Sequence, residues 1–325
     1  MTVAGSRSAG VLTAALLLLG AAEPPAPQPL APLEGAGWQL VWADEFEGDA
    51  LDRTKWTPEQ SCWGGGNNER QCYTDRPENI AVEGGMLLLK ARKERFAGPA
   101  RPPEIAEYDN PTQVQSHTSG KVRTIGLHAW RYGRIEARAK VPAGQGAWPA
   151  IWMMPQDAVY GAWPRSGEID ILEAVNIGAK CKQCEGGRGE NRTISALHFG
   201  NYPPENRFVD HRNALPSLAL PSDDFHVYAV EWGEGLIRFL VDDRVHLTVT
   251  ADQWHSGSPR AKGRPAAPFD QPFYVMANLA VGGRLSEENN AKGVAEGTFP
   301  AQFAIDWIRV YQCASDPTTG RACIR

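Results

Sequence analysis

The sequence predicts an all-β protein, a sandwich of antiparallel sheets. Apolar and polar residues alternate with a period of two in roughly a dozen short runs, the signature of half-buried strands. Turn formers are abundant, with 33 Gly and 25 Pro among 325 residues. Helical periodicity is almost absent, so strands must cover strands.

The runs follow in order. Residues 38–46 (Trp-Gln-Leu-Val-Trp-Ala-Asp-Glu-Phe) alternate as a first strand, and 86–91 follow a Gly-Gly turn as a second. In 132–141, Ile135, Ala137 and Ala139 share one face while Arg134, Glu136, Arg138 and Lys140 share the other. Further strands are expected at 150–154, 168–174, 193–198, 226–232, 236–241, 245–249, 273–279 and 303–311. The pair 236–241 and 245–249, joined by Asp242-Asp243-Arg244, reads as a hairpin. Segments 95–118 and 181–191 read as irregular rim loops. There is no internal repeat, and 37–325 reads as one domain.

The N-terminus reads as an export signal over 1–22: Arg7, an apolar stretch at 11–20, then small residues Gly20-Ala21-Ala22. That stretch is too short to span a bilayer, so no membrane partner is expected. A Pro-rich linker follows over 23–36. The expected location is therefore outside the cytoplasm, secreted or periplasmic, and a monomer is the default. Net charge is −5 with no basic run, which argues against nucleic acid. Eleven Trp suit a groove that stacks apolar sugar faces. Six cysteines in an exported chain favour disulfides, and local pairing of 62 with 72, 181 with 184 and 313 with 323 is the simplest of several connectivities. The Cys181-x-x-Cys184 pair lacks the second pair that zinc would need.

The chemistry concentrates at 167–173, Gly-Glu-Ile-Asp-Ile-Leu-Glu. On a regular strand Glu168 and Asp170 share a face, but the next residue on that face is Leu172, not Glu173. One extra residue, a β-bulge between Asp170 and Glu173, brings all three acids to one side. Like charges so crowded should leave at least one carboxyl protonated near neutral pH. Paired carboxyls of this kind serve glycoside hydrolysis, one attacking the anomeric carbon and the other protonating the leaving oxygen. The plain alternative is a solvent-facing strand that happens to be acidic.

These residues resemble the signature of glycoside hydrolase family 16 in its longer, bulged, laminarinase-like form. Blocks at 63–73, 119–123, 131–155, 197–200, 225–232, 278–283 and 306–311 also fit, so the resemblance covers about 38–311. It implies a β-jelly roll of two curved antiparallel sheets with a concave substrate groove. It further implies a retaining endo-β-1,3-glucanase without a catalytic metal, acting on β-glucan and accepting mixed-linkage β-1,3-1,4-glucan as well. A non-hydrolytic glucan-binding protein and a transglycosylase stand as alternatives on the same fold. By position, Glu168 is the nucleophile, Glu173 the acid/base, and Asp170 the residue that tunes them. Trp148 and Trp152 are expected to line the donor side, Trp163 the acceptor side, and His198 the cleavage point, with Asn67 and Arg123 as ligands of sugar hydroxyls. Trp38, Trp42, Trp56, Trp232 and Trp307 are expected to pack in the core. The resemblance also implies one structural calcium at Gly48, Gly85 and Asp306, an oxygen-only donor set.

Overall fold

In this computed structural model the described residues are Met1, 37–103 and 109–324. Apart from Met1, the expected export signal and linker lie outside the described residues. The chain divides into units Met1–Pro32 and Leu33–Arg325, and everything below concerns the second.

Among the described residues the chain forms seventeen strands. The first seven are β1 (Trp38–Asp44), β2 (Thr57–Pro58), β3 (Gln71–Tyr73), β4 (Ile80–Glu83), β5 (Met86–Pro99), β6 (Thr112–Ser119) and β7 (Lys121–Arg123). Then come β8 (Gly133–Lys140), β9 (Ala147–Pro155), β10 (Glu168–Ala174), β11 (Arg192–Gly200) and β12 (Asn206–Ala214). The last five are β13 (His226–Gly233), β14 (Leu236–Val241), β15 (Arg244–Thr250), β16 (Phe273–Val281) and β17 (Ala301–Cys313).

They make two sheets. One has ten strands, ordered β15-β14-β13-β8-β17-β5-β6-β3, with β1 on β17 and β4 on β5. The other has seven, ordered β12-β11-β10-β9-β16-β7-β2. Pairing is antiparallel except between β3 and β6, which run parallel. The predicted alternation sets the core: Ile135, Ala137 and Ala139 from one sheet meet Ile169, Leu197 and Val275 from the other in one buried cluster. The charged face of β8 is not left to solvent. Arg134, buried, bridges Glu136 at 2.8 Å, Glu231 at 3.0 Å and Asp243 at 2.6 Å.

The predicted hairpin is present, tighter than expected. Val241 pairs with Arg244 across a two-residue turn in which Asp242 and Asp243 both have positive φ, 48° and 60°. Segment 95–118 corrects the loop reading, because β5 continues to Pro99 and pairs with β6 from Thr112. Four consecutive charges, Arg92-Lys93-Glu94-Arg95 with Arg92 and Lys93 both exposed, mask the alternation there. Segment 181–191 carries no strand, as expected. All three disulfides are the local ones, Cys62–Cys72, Cys181–Cys184 and Cys313–Cys323. Trp38, Trp56, Trp232 and Trp307 are buried, and Trp42 packs partly buried against the core.

Candidate active site

The bulge lies where the sequence requires it. Against β11 the register is Asp170↔Ala196 and then Glu173↔Ile194, and against β9 it is Asp170↔Trp152 and then Leu172↔Ile151. Both neighbours slip at the same place, so the extra residue belongs to β10. Consecutive Ile171 and Leu172 are both buried in the core, at 1% and 0% exposure, which returns Glu173 to the side of Glu168 and Asp170. Ser195 Oγ donates to the Ile171 carbonyl at 2.8 Å, inside the interrupted ladder. No sequence signal marked Ser195; its role depends on the slipped register.

Because register fixes which side chains adjoin, the active face reads in rows. One row runs Phe208, His198, Glu168. The next runs Asp210, Ala196, Asp170, Trp152, Met276, Arg123. The third runs Arg212, Ile194, Glu173, Ala150, Asn278, Lys121.

Each acid has its own partner. Trp163, half exposed, donates its indole N–H to Glu168 Oε2. His198 Nε2 lies 3.3 Å from Asp170 Oδ2, an oxygen that is buried and has no other partner. Trp148 Nε1 donates to Glu173 Oε1 at 2.9 Å. Ligand atoms of Glu168, Asp170 and His198 all lie within 4.8 Å of one another.

Crowding has its expected consequence. Burial, and then the Glu168 charge, push the Asp170 carboxyl well above its usual range. Burial also raises Glu173 to about 7, although His198 and the Trp148 hydrogen bond pull the other way. For His198, burial opposes charging, but the Asp170 contact and the Glu168 and Glu173 charges outweigh it and raise the imidazole to about 10. The Asp170–His198 pair therefore keeps a proton well above neutral pH.

Other expected site residues are placed as follows. Trp152, half buried beside Asp170, donates to Asn278 Oδ1 at 2.6 Å, and Lys121 Nζ stands 5.0 Å from the Trp152 ring centroid. Arg123 is buried rather than presented to solvent; it shares Glu59 with Lys121, at 3.4 Å and 2.9 Å. Asn67 Nδ2 donates to Glu69 Oε1 at 3.4 Å. Its loop reaches the Trp148 side through Gly283, where a Cβ would meet Asn67 O and Trp148 Cζ3, both at 3.2 Å. Glu59, Lys121 and Asn278 were not singled out by sequence reasoning, although the 119–123 and 278–283 blocks contain the last two. The expected calcium set lies on other elements: Gly48 after β1, Gly85 in the β4–β5 turn, Asp306 on β17. Asp306 Oδ2 accepts from Arg138 at 2.6 Å, so its carboxylate already faces a cation and fits a calcium ion poorly. Cys181 and Cys184 are joined to each other, leaving no thiolate for zinc.

Two of the three acids thus accept from an indole N–H, one at each end of the row. Residues 38–313 match the family described as "Beta-porphyranase A-D, GH16 domain". The glucan endo-1,3-beta-glucosidase A1 of Niallia circulans is 37% identical over 285 residues, covering 85% of this chain but only 38% of that protein. The beta-glucanase of Rhodothermus marinus is 37% identical over 279 residues, covering 85% of each. The solved laminarinase from Rhodothermus marinus, at 35% identity, superposes with a TM-score of 0.63 over 84% of this chain and 97% of that one. The sandwich is thus the jelly roll of these enzymes, and the chain is a glycoside hydrolase that belongs to glycoside hydrolase family 16.

Proposed function

We propose that the chain is an exported, monomeric, retaining endo-β-1,3-glucanase that cleaves internal bonds of laminarin-like glucans and tolerates mixed β-1,3-1,4 linkages. The observation that carries this reading is the bulge, which sets two glutamates on one face in different environments. Glu173, near 7, can carry a proton at neutral pH and give it up; Glu168 is held by the Trp163 N–H.

In the first step a Glu168 oxygen attacks the anomeric carbon and the glycosidic C–O bond breaks. Glu173 gives its proton to the departing oxygen, leaving a glycosyl ester on Glu168 and Glu173 as carboxylate. In the second step Glu173 takes a proton from water, the water oxygen attacks the anomeric carbon, and Glu168 is released. Asp170, backed by His198, supports the charge changes between them. A sugar hydroxyl replacing that water would give transglycosylation.

Glucanase names among the relatives support the glucan, whereas the family model is named for β-porphyranases. A sulfated galactan would call for several cations free to meet sulfate in the groove; Lys121 and Arg123 instead converge on Glu59, which leaves Arg212, hydrogen-bonded to Asn289, in the active-face rows. Incubation with laminarin, lichenan, agarose, porphyran and carrageenan, with product sizing and NMR of the new anomeric centre, tests the reading. β-Configured oligosaccharides from laminarin are expected. Inverted products, or cleavage of galactans alone, would refute it. The calcium at Gly48, Gly85 and Asp306 is proposed only as a weak site, because the ion would share Asp306 with Arg138.

A further inference from the structure

Apart from Met1, Phe208 is the most exposed large hydrophobic side chain among the described residues, at 59%. It sits on β12, the edge strand of the catalytic sheet, where a bare apolar ring is normally a liability. Alternation accounts for its direction. Val209 packs against the core, so Phe208 faces the active side with Asp210 and Arg212 in the next two rows. Its cross-strand partner is His198, with ring centroids 5.7 Å apart and planes 34° apart. His198 in turn lies 6.1 Å from the Trp163 ring, and Trp163 holds Glu168. An unbroken line of rings therefore leads from Glu168 to the sheet edge.

Two strand spacings, roughly 10 Å, separate Phe208 from the acid strand, far enough for a second sugar ring beyond the cleaved bond. The direction rests on the sides that the family resemblance implies: Trp148 and Trp152, on β9, mark the donor side of β10, and Trp163, whose ring adjoins His198 on β11, marks the acceptor side toward β12. We propose that Phe208 is a stacking platform for a β-linked pyranose on the leaving-group side, one ring beyond the sugar that takes the proton from Glu173. This rests on the glycanase reading above. The apolar C–H face of a pyranose matches an exposed aromatic ring, and Asp210 and Arg212 offer its hydroxyls a charged acceptor and donor.

The test compares two substrates in wild type, Phe208→Ala and Phe208→Trp. One is a long laminari-oligosaccharide that reaches past the ring; the other is an aryl β-laminaribioside whose leaving group cannot. Phe208→Ala should lower kcat/KM on the long substrate roughly three- to tenfold more than on the aryl glycoside, the worth of one stacking contact. Phe208→Trp should restore most of the difference, and transfer products from added oligosaccharide acceptors should fall in Phe208→Ala. Equal losses on both substrates, or none on either, would overturn the proposal. Wild type inactive on laminarin would refute the glucan reading instead, and the same comparison on the glycan it does cleave would decide the role of Phe208.

Discussion

Replacing Trp148 by Phe isolates what tunes the proposed acid. The Trp148 indole N–H donates to Glu173 Oε1 at 2.9 Å and favours the ionised carboxylate, holding its pKa below where burial alone would put it. A hydrogen bond to a charged group is worth about 1.5–3 kcal/mol, and 1.36 kcal/mol corresponds to one pKa unit, so losing this donor should raise Glu173 by about 1–2 units. Phe retains much of the ring that packs against Val175, Ile194 and Ala280. The general acid works in its protonated form, so kcat/KM should fall on the alkaline side through the pKa of Glu173 in the free enzyme. Wild type is expected to lose activity above about 7, and Trp148→Phe to move that limb up by the same 1–2 units. The assay is kcat/KM on laminarin across pH, with thermal melts at each pH to confirm folding. A limb that stays in place, or moves to lower pH, would show that Glu173 is not the acid or that Trp148 does not tune it.

Other expectations follow from the same geometry. A carboxyl raised to about 7 when folded binds its proton more tightly than in the unfolded chain, so its contribution to stability is full below 4.5 and is lost as pH rises through 7. Glu173→Gln should therefore be inactive yet more stable than wild type above pH 7, by up to about 3 kcal/mol, with the gap closing below pH 4.5; denaturant melts at both pH values check the sign. Ser195→Ala removes the donor to the Ile171 carbonyl and should cost about 1–2 kcal/mol of stability, with kcat falling more than KM changes. Chelation by EDTA should move the melting temperature by less than ~1 °C, as expected for a weak site; a drop of several degrees, reversed by Ca²⁺, would show that the ion displaces Arg138.

The sequence made the site legible through a conflict: regular alternation would have set Leu172 beside two acids, and only a bulge resolves that. The strands with clean apolar alternation were legible for the same reason. What escaped notice was structure whose pattern is carried by partners. β12, Asn-Arg-Phe-Val-Asp-His-Arg-Asn-Ala, has one sheet neighbour and few apolar residues, so neither period nor composition announces it, and Phe208 went unnoticed with it. β6, paired on both sides, was hidden by composition: Gln113, Gln115 and His117 stand on its more buried face, where alternation would lead one to expect apolar residues. Arg123 was expected as a sugar ligand from the resemblance; the buried Glu59 that it meets is 64 residues earlier, and no local pattern joins them. Asp306 drew attention as an oxygen donor, and its partner Arg138 lies across a strand pairing that sequence spacing does not display.

The bulge also explains why so exposed a function can rest on so rigid a base. Three crowded acids repel one another, and an isolated strand would relieve that by flattening its bulge, which turns Glu173 away from Glu168 and Asp170 and brings Leu172 to their side. Here that would expel Leu172, fully buried, from the core and drive the Glu173 carboxyl toward the apolar interior. Burying Leu172 stabilises by about 1.5–3 kcal/mol and an unpaired carboxylate in the apolar interior costs more still, together more than the cost of raising the pKa of Glu173 from 4.5 to about 7, which is about 3 kcal/mol. The apolar face thus holds the register against the repulsion of the acidic one. Deleting Ile171 removes the extra residue and with it the need for a bulge: Glu168, Asp170 and Glu173 would share one face by regular alternation, while Ile169 and Leu172 share the other and keep their partners on β9. The deletion should therefore give a folded protein that still cleaves laminarin, and an inactive one would show that the acids need the bulge for more than their shared face.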